Sequence, residues 1–144
     1  MSEPSPQTNL IEELSDLTLP LMWTMRQDAV RAFESLGIRP VKALLLELVG
    51  RGFQHPKELS DMLDTVPPTI SAMLSELEER GFIARHIDES DRRRVRLSLT
   101  ADGQTLRHKM REQWLQAGQQ RLAKLSCDEL ETLVHIYKKL LEVE

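Results

Sequence analysis

The sequence predicts a mostly α-helical domain that carries one small β-hairpin. Apolar residues recur at i, i+3 and i+4 over most of the chain, Pro and Gly punctuate that pattern where helices begin and end, and apolar/polar alternation is clearest from Arg94 to Leu99. The 144 residues, 40% hydrophobic and 29% charged, fit one domain with its own core, and a single cysteine forbids an internal disulfide. Charges interrupt every apolar stretch before the ~20 residues that cross a bilayer. The opening MSEPSPQTNLIEELSD has neither the basic start nor the apolar centre of a secretory leader, so the cytoplasm is the expected compartment, without membrane contact.

Residues 1–9, with Pro4 and Pro6 among Ser and Thr, read as a flexible arm. Leu10, Ile11, Leu14, Leu17 and Leu21 then start a helix that Met22, Met25, Ala29, Val30, Phe33 and Leu36 continue. Pro20 kinks it or opens its second part, and Gly37 ends it. Pro40 opens a second helix through Val41, Leu44, Leu45, Leu48 and Val49, closed by Gly50 and Gly52. A short third helix, Pro56 to Leu63, turns Leu59, Met62 and Leu63 inward. Asp64 and Thr65 connect it tightly to a fourth helix over 67–80, with Ile70, Met73, Leu74 and Leu77 on its core face and Thr69, Ser71, Ala72, Ser75 and Glu76 facing out. Two short helices joined in this way form a helix-turn-helix.

Gly81 closes the fourth helix, and two strands follow, Phe82 to Ile87 and Val95 to Leu99. They flank the polar connection Asp88-Glu89-Ser90-Asp91-Arg92-Arg93, so the unit is a winged helix-turn-helix over 37–103. Thr100 caps a long helix through Leu106, Met110, Trp114, Ala117 and Leu122. Ser126 and Glu129 make a capping box for a last helix striped by Leu130, Leu133, Val134, Tyr137, Leu140 and Leu141.

The charge is unevenly spread. Of 19 basic and 23 acidic residues, residues 80–111 hold 9 basic and 4 acidic, a local +5, and six of those cations are Arg within 80–96. A basic stripe on an otherwise acidic chain suits a phosphate backbone, and equally a solvated face.

Leu77-Glu78-Glu79-Arg80-Gly81-Phe82-Ile83, followed by Asp91-Arg92-Arg93 and by Leu99-Thr100 with Gly103, resembles the MarR (multiple antibiotic resistance regulator) family of bacterial transcription regulators. The resemblance covers roughly residues 10–142. It implies a homodimer in which the N-terminal helix (10–36) and the last two helices (104–144) intertwine with the partner's, making the chain one intertwined domain. Leu10, Ile11, Leu14 and Leu17 fit this, having little else in the chain to cover them, although the two ends could instead pack on one another within a monomer. A dimer reads a pseudo-palindromic duplex DNA operator with half-site centres ~10 bp apart.

The implied site places helix 67–80 in the major groove, with Pro68, Thr69, Ser71, Ala72 and Ser75 toward the bases, and the wing 87–94 in the minor groove. Ala72 stands where many family members carry a basic residue and Glu76 where a basic or neutral one is common, which shifts the expected affinity to the wing. There, by resemblance, Arg93 enters the minor groove, Asp91 holds its guanidinium, and Arg92 and Arg94 meet phosphates. Arg85 and Arg96, on different strands, stand beside one another, near phosphate, or simply in solvent. Lys57 and the starts of the third and fourth helices are further phosphate candidates.

The resemblance also implies repression relieved by a small aromatic or anionic effector, for which Met22, Trp23, Arg26 and Trp114 are candidate walls and cation, against a reading as core and dimer packing. Cys127, in the first turn of the last helix, is expected to be inert. His55, His86, His108 and His135 are scattered, so no metal site is expected, and no enzyme or cofactor motif is present. The rival reading is a winged helix that contacts protein and has no operator of its own; Glu76, Glu78 and Glu79 are its best argument.

Overall fold

Six helices and one two-stranded antiparallel sheet make up the computed structural model, which describes residues 5–143. In chain order they are α1 (Pro6–Glu34), α2 (Pro40–Gly50), α3 (Pro56–Met62), α4 (Pro67–Glu79), β1 (Ile83–Ile87), β2 (Val95–Leu99), α5 (Ala101–Leu122) and α6 (Cys127–Leu140).

α1 starts earlier than expected. Ser5 caps it by accepting the Thr8 N–H, and Pro6 tolerates the first helical position because its missing N–H is not needed there. Residues 6–9 are therefore helix rather than arm; residues 1–4 lie outside the described residues. α1 also runs without a break through Pro20, whose carbonyl accepts the Thr24 hydroxyl at 2.6 Å. Gly37, at φ +64°, ends the turn that follows.

The core lies within the winged helix-turn-helix. Leu45, Leu46, Leu59, Ile70, Leu74, Leu77 and Leu97 are wholly buried, drawn from α2, α3, α4 and β2. Each such side chain contributes about 1.5–3 kcal/mol relative to exposure. Met62 and Val95 correct the expected inner faces: Met62 is exposed at the last turn of α3, and Val95 sits where the hairpin has already left the body. The turn between α3 and α4 is tied down locally. Thr65 N–H donates to the Ser60 carbonyl, the Ser60 hydroxyl donates to the Thr65 carbonyl, and Asp64 takes a left-handed φ of +46°.

β1 and β2 pair with Ile83 opposite Leu99 and Ile87 opposite Val95. The loop before α3 extends this sheet, since Leu97 N–H donates to the Gln54 carbonyl at 2.7 Å. At the other end of the hairpin the chain is knotted to α5. Thr100 N–H donates to the Phe82 carbonyl (3.1 Å), its hydroxyl donates to the Gly81 carbonyl (2.5 Å), and that same oxygen caps α5 by accepting Gly103 N–H (3.0 Å). Gly103 has no alternative here, because a Cβ would lie 2.0 Å from the Phe82 carbonyl oxygen.

α1 and α5 pack on each other and on α2, but bury little of themselves: α1 buries Ala32 and Phe33, and α5 buries Gly103, Leu106 and Met110. Trp114 and Leu122, on the apolar run read along α5, are exposed, and α6 buries nothing. One ion-pair cluster joins α2 to α5. Glu47 receives Nε and Nη2 of Arg107 at 2.8 and 3.2 Å and Nε of Arg51 at 2.7 Å, with Gly50 leaving room for the Arg107 guanidinium.

The Arg107 hydrogen bond, followed by that of Arg51, overcomes burial and lowers the Glu47 carboxyl from 4.5 to about 2. Its stabilising contribution is therefore complete above pH 4.5 and fades as pH falls toward about 2. Acid unfolding of Glu47→Gln should lose that part of the pH dependence; a stability profile parallel to that of the wild type over this interval would refute the assignment.

Candidate nucleic-acid interface

α4 presents three faces. Ile70, Leu74 and Leu77 face the core, and Pro68, Thr69, Ser71 and Ala72 are exposed, with Ser75 half-buried beside them. The two flanks are acidic, yet each is met by a cation from a neighbouring element. On one flank Lys42 of α2 pairs with Glu76, whose carboxyl is held below its usual range first by that hydrogen bond. On the other, Arg85 of β1 lies along the helix, with Nε 3.3 Å from Glu78 Oε2 and Nη2 donating to Ser75 Oγ at 3.1 Å and to the Ser71 carbonyl at 3.4 Å. Glu79 remains exposed. The acidic flank residues read from the sequence thus do not leave two free negative charges beside the outer face.

The helix start offers no phosphate cradle. Pro67 and Pro68 carry no N–H, and the amides of Thr69 and Ile70 both donate to the Val66 carbonyl. At the start of α3, Pro56 likewise has no donor and Glu58 takes the His55 N–H at 3.1 Å.

The hairpin tip is built from its acids. Asp88 Oδ1 accepts both the Ser90 N–H (2.9 Å) and the Ser90 hydroxyl (2.6 Å), and these bonds, the hydroxyl first, hold its carboxyl below the ordinary range. Asp88 N–H donates to the Arg94 carbonyl (3.0 Å) and Arg94 N–H to the Asp91 carbonyl (2.9 Å), closing the tip. Asp91 Oδ1 accepts the backbone N–H of Arg93 at 3.1 Å. Asp91 therefore supports the turn and not the guanidinium, as an Asp two residues before an amide commonly does. Arg92, Arg93 and Arg94 are exposed, and none forms an ion pair among the described residues.

Arg85 and Arg96 point to opposite faces of the hairpin, because Arg85 faces Leu97 across the sheet and Arg96 faces His86. Arg96 Nε donates to Gln54 Oε1 at 2.8 Å. The role of Arg85 in bracing α4 was not legible in the sequence, since only the register brings it to Ser75 and Glu78.

The four candidate effector residues do not converge. Trp114 lines a cavity of about 410 Å³ between α1, α2 and α5 together with Phe33, Leu44, Arg51, Met110 and Arg111. Arg26 instead stacks on Trp23, 5.6 Å from its ring centroid, and borders a different cleft with Val30 and Arg39. Met22 and Trp23 are exposed on α1. Helical spacing from Phe33 and Trp114 was the available signal for the residues that do line the cavity.

The profile of the MarR family matches residues 43–95, the span from α2 to the first residue of β2. The HTH-type transcriptional regulator PapX of Escherichia coli is 30% identical over 120 residues, covering 76% of this chain and 68% of PapX. The HTH-type transcriptional repressor MdtR of Bacillus subtilis (strain 168) is 28% identical over 94 residues, 62% of this chain; the chain spans 61% of the length of MdtR. A solved structure of a mutant MepR of S. aureus bound to an oligodeoxyribonucleotide is 25% identical, with a TM-score of 0.64 over 89% of this chain and 95% of that one. The local geometry and these likenesses agree, and the chain belongs to the MarR family of winged helix-turn-helix transcriptional regulators.

Proposed function

We propose that this chain acts as a homodimer on a pseudo-palindromic duplex operator, as a repressor released by a small aromatic or anionic ligand. The observation that carries the reading is the pair of surfaces just described: an exposed helix face with its acidic flanks neutralised, beside a stiffened tip that projects three exposed arginines. α4 enters the major groove with Pro68, Thr69, Ser71, Ala72 and Ser75 on the bases. Short hydroxyls and a methyl carry little base information, so affinity rests on Arg93 in the minor groove and on Arg92 and Arg94 at phosphates. The likeness to a MepR mutant bound to an oligodeoxyribonucleotide supports duplex DNA as the partner. The rival reading, a protein-contact module, loses most of its basis because Glu76 and Glu78 face Lys42 and Arg85.

A second copy is the proposed cover for the apolar ends. Leu10, Leu14 and Leu17 on α1, Tyr137 and Leu140 on α6 and Leu141 just after it are all exposed, more apolar surface than a soluble monomer ordinarily leaves bare. The cavity beside Trp114 combines apolar walls with Arg111, while Arg51 at its rim is already paired with Glu47, so Arg111 is the cation for an aromatic carboxylate.

On a duplex from upstream of its own gene, Arg93→Ala should lose about tenfold in affinity and reduce the salt slope by about 1. An unchanged slope and affinity would remove Arg93 from the interface, and binding no tighter than to random duplex would favour the protein-contact reading. Light scattering should give twice the chain mass for the wild type and a folded monomer for Leu14→Asp with Leu140→Asp; a monomeric wild type at micromolar concentration would refute the dimer. In Trp23→Phe, where Trp114 is the remaining indole, titration with small aromatic carboxylates should quench or shift the emission and lower operator affinity. No response across a panel of such acids would refute this cavity as their site.

A further inference from the structure

We propose that His55 is the positioning residue of the wing, and that it works as an imidazolium ion. His55 lies in the loop that joins α2 to α3, and its ring stands against the base of the hairpin tip. Nδ1 is 3.0 Å from the Val95 carbonyl oxygen and Nε2 is 3.3 Å from Asp88 Oδ2. Both partners are pure acceptors. A neutral imidazole has one N–H, so it satisfies one of them and turns a lone pair on the other; an imidazolium has two N–H groups and satisfies both.

The contact sits where it governs the tip. Val95 is the first residue of β2, and Asp88 is the residue whose backbone and side chain close the turn bearing Arg92, Arg93 and Arg94. The adjacent Gln54 adds two parallel ties, to Leu97 N–H and to Arg96 Nε, so the whole loop is laced to the hairpin. The His55 side chain is 17% exposed and that of Asp88 10%, which shields the pair from solvent and salt. Of the charged groups on the packed elements, Glu58 of α3 accepts the His55 backbone N–H, Gln54 holds Arg96 of β2, and Arg94 lies across the tip; α3 also carries Lys57 and Asp61, while on β1 Arg85 turns to α4 and His86 bonds Ser98. Asp88, kept ionised chiefly by the Ser90 hydroxyl, stays anionic while the imidazole gains or loses its proton. Loss of that proton as pH rises leaves Val95 or Asp88 facing a lone pair and loosens the tip.

The positioning claim is independent of the DNA-binding reading, which enters only in the second of two measurements. In the free protein, hydrogen-exchange protection of the Asp88 and Leu97 amides, corrected for intrinsic rates, should fall about tenfold between about pH 6 and about pH 8. His55→Gln should show low protection at both values, and Asp88→Asn should lose the pH dependence as well. Operator affinity should weaken over the same interval in the wild type and not in His55→Gln. Nitrogen chemical shifts of the wild-type ring need no variant: both nitrogens protonated at about pH 6 supports the proposal. A neutral ring there, or protection that does not change with pH, overturns it. Full pH-dependent protection in a protein that binds no operator would refute the DNA reading and leave the role of His55 standing.

Discussion

The contact of Gly103 with the Phe82 carbonyl sets the geometry on which the rest of the structure depends. Phe82 follows α4 and precedes β1, while Thr100 and Gly103 follow β2 and begin α5. Both ends of the wing and the start of the long helix are therefore held within one turn of chain. Thr100 does this with three hydrogen bonds, and the missing Cβ at 103 lets α5 approach close enough to make them. A side chain at this position would push α5 away from the hairpin, and with it the scaffold that α5 shares with α1. The Leu-Thr and Gly of the wing motif are thus a backbone packing requirement, distinct from the arginines that the same motif places at the tip.

Much of this fold was legible because its signals are local. Pro40, Pro56 and Pro67 each stand at the first position of a helix, Thr100 and Ser126 cap the helices they were expected to cap, and Gly37 and Gly81 take positive φ at the helix ends. What the sequence could not convey is the long-range pairing. Lys42 is far from Glu76 in the chain and reaches it only by helix packing, and Arg85, though close to α4 in the chain, turns back to Glu78 only through the facing that the sheet register gives it. Asp91 was read as the partner of a guanidinium, whereas the turn uses its carboxylate for a backbone N–H, a contact that spacing alone does not distinguish. The effector residues were chosen for chemistry without knowledge of position, and on α1 Trp23 and Arg26 stand one to three turns before Ala29 and Phe33, the residues that line the cavity.

The apolar surface divides along the same line. Most residues that the chain can cover by itself lie in the winged unit, where leucines from four elements meet, with Ala32 and Phe33 of α1 and Leu106 and Met110 of α5 at its edge. The exposed ones on the first half of α1 and on α6 have helical phase and good caps but nothing packed over them in this chain, and the second copy proposed above is what would cover them. Periodicity identifies a stripe; it does not say what covers it.

Lys42 has a neighbour of different character. Its side chain holds Glu76 on α4, while the next residue along α2, Ala43, lines the cavity beside Trp114. Glu47, one turn later on the same helix, borders that cavity and is clamped to α5 by Arg107. α2 thus touches α5 through Glu47, the cavity wall through Ala43 and α4 through Lys42. A ligand filling that cavity, as proposed above, would press on the residue next in the chain to the one that holds Glu76 of α4.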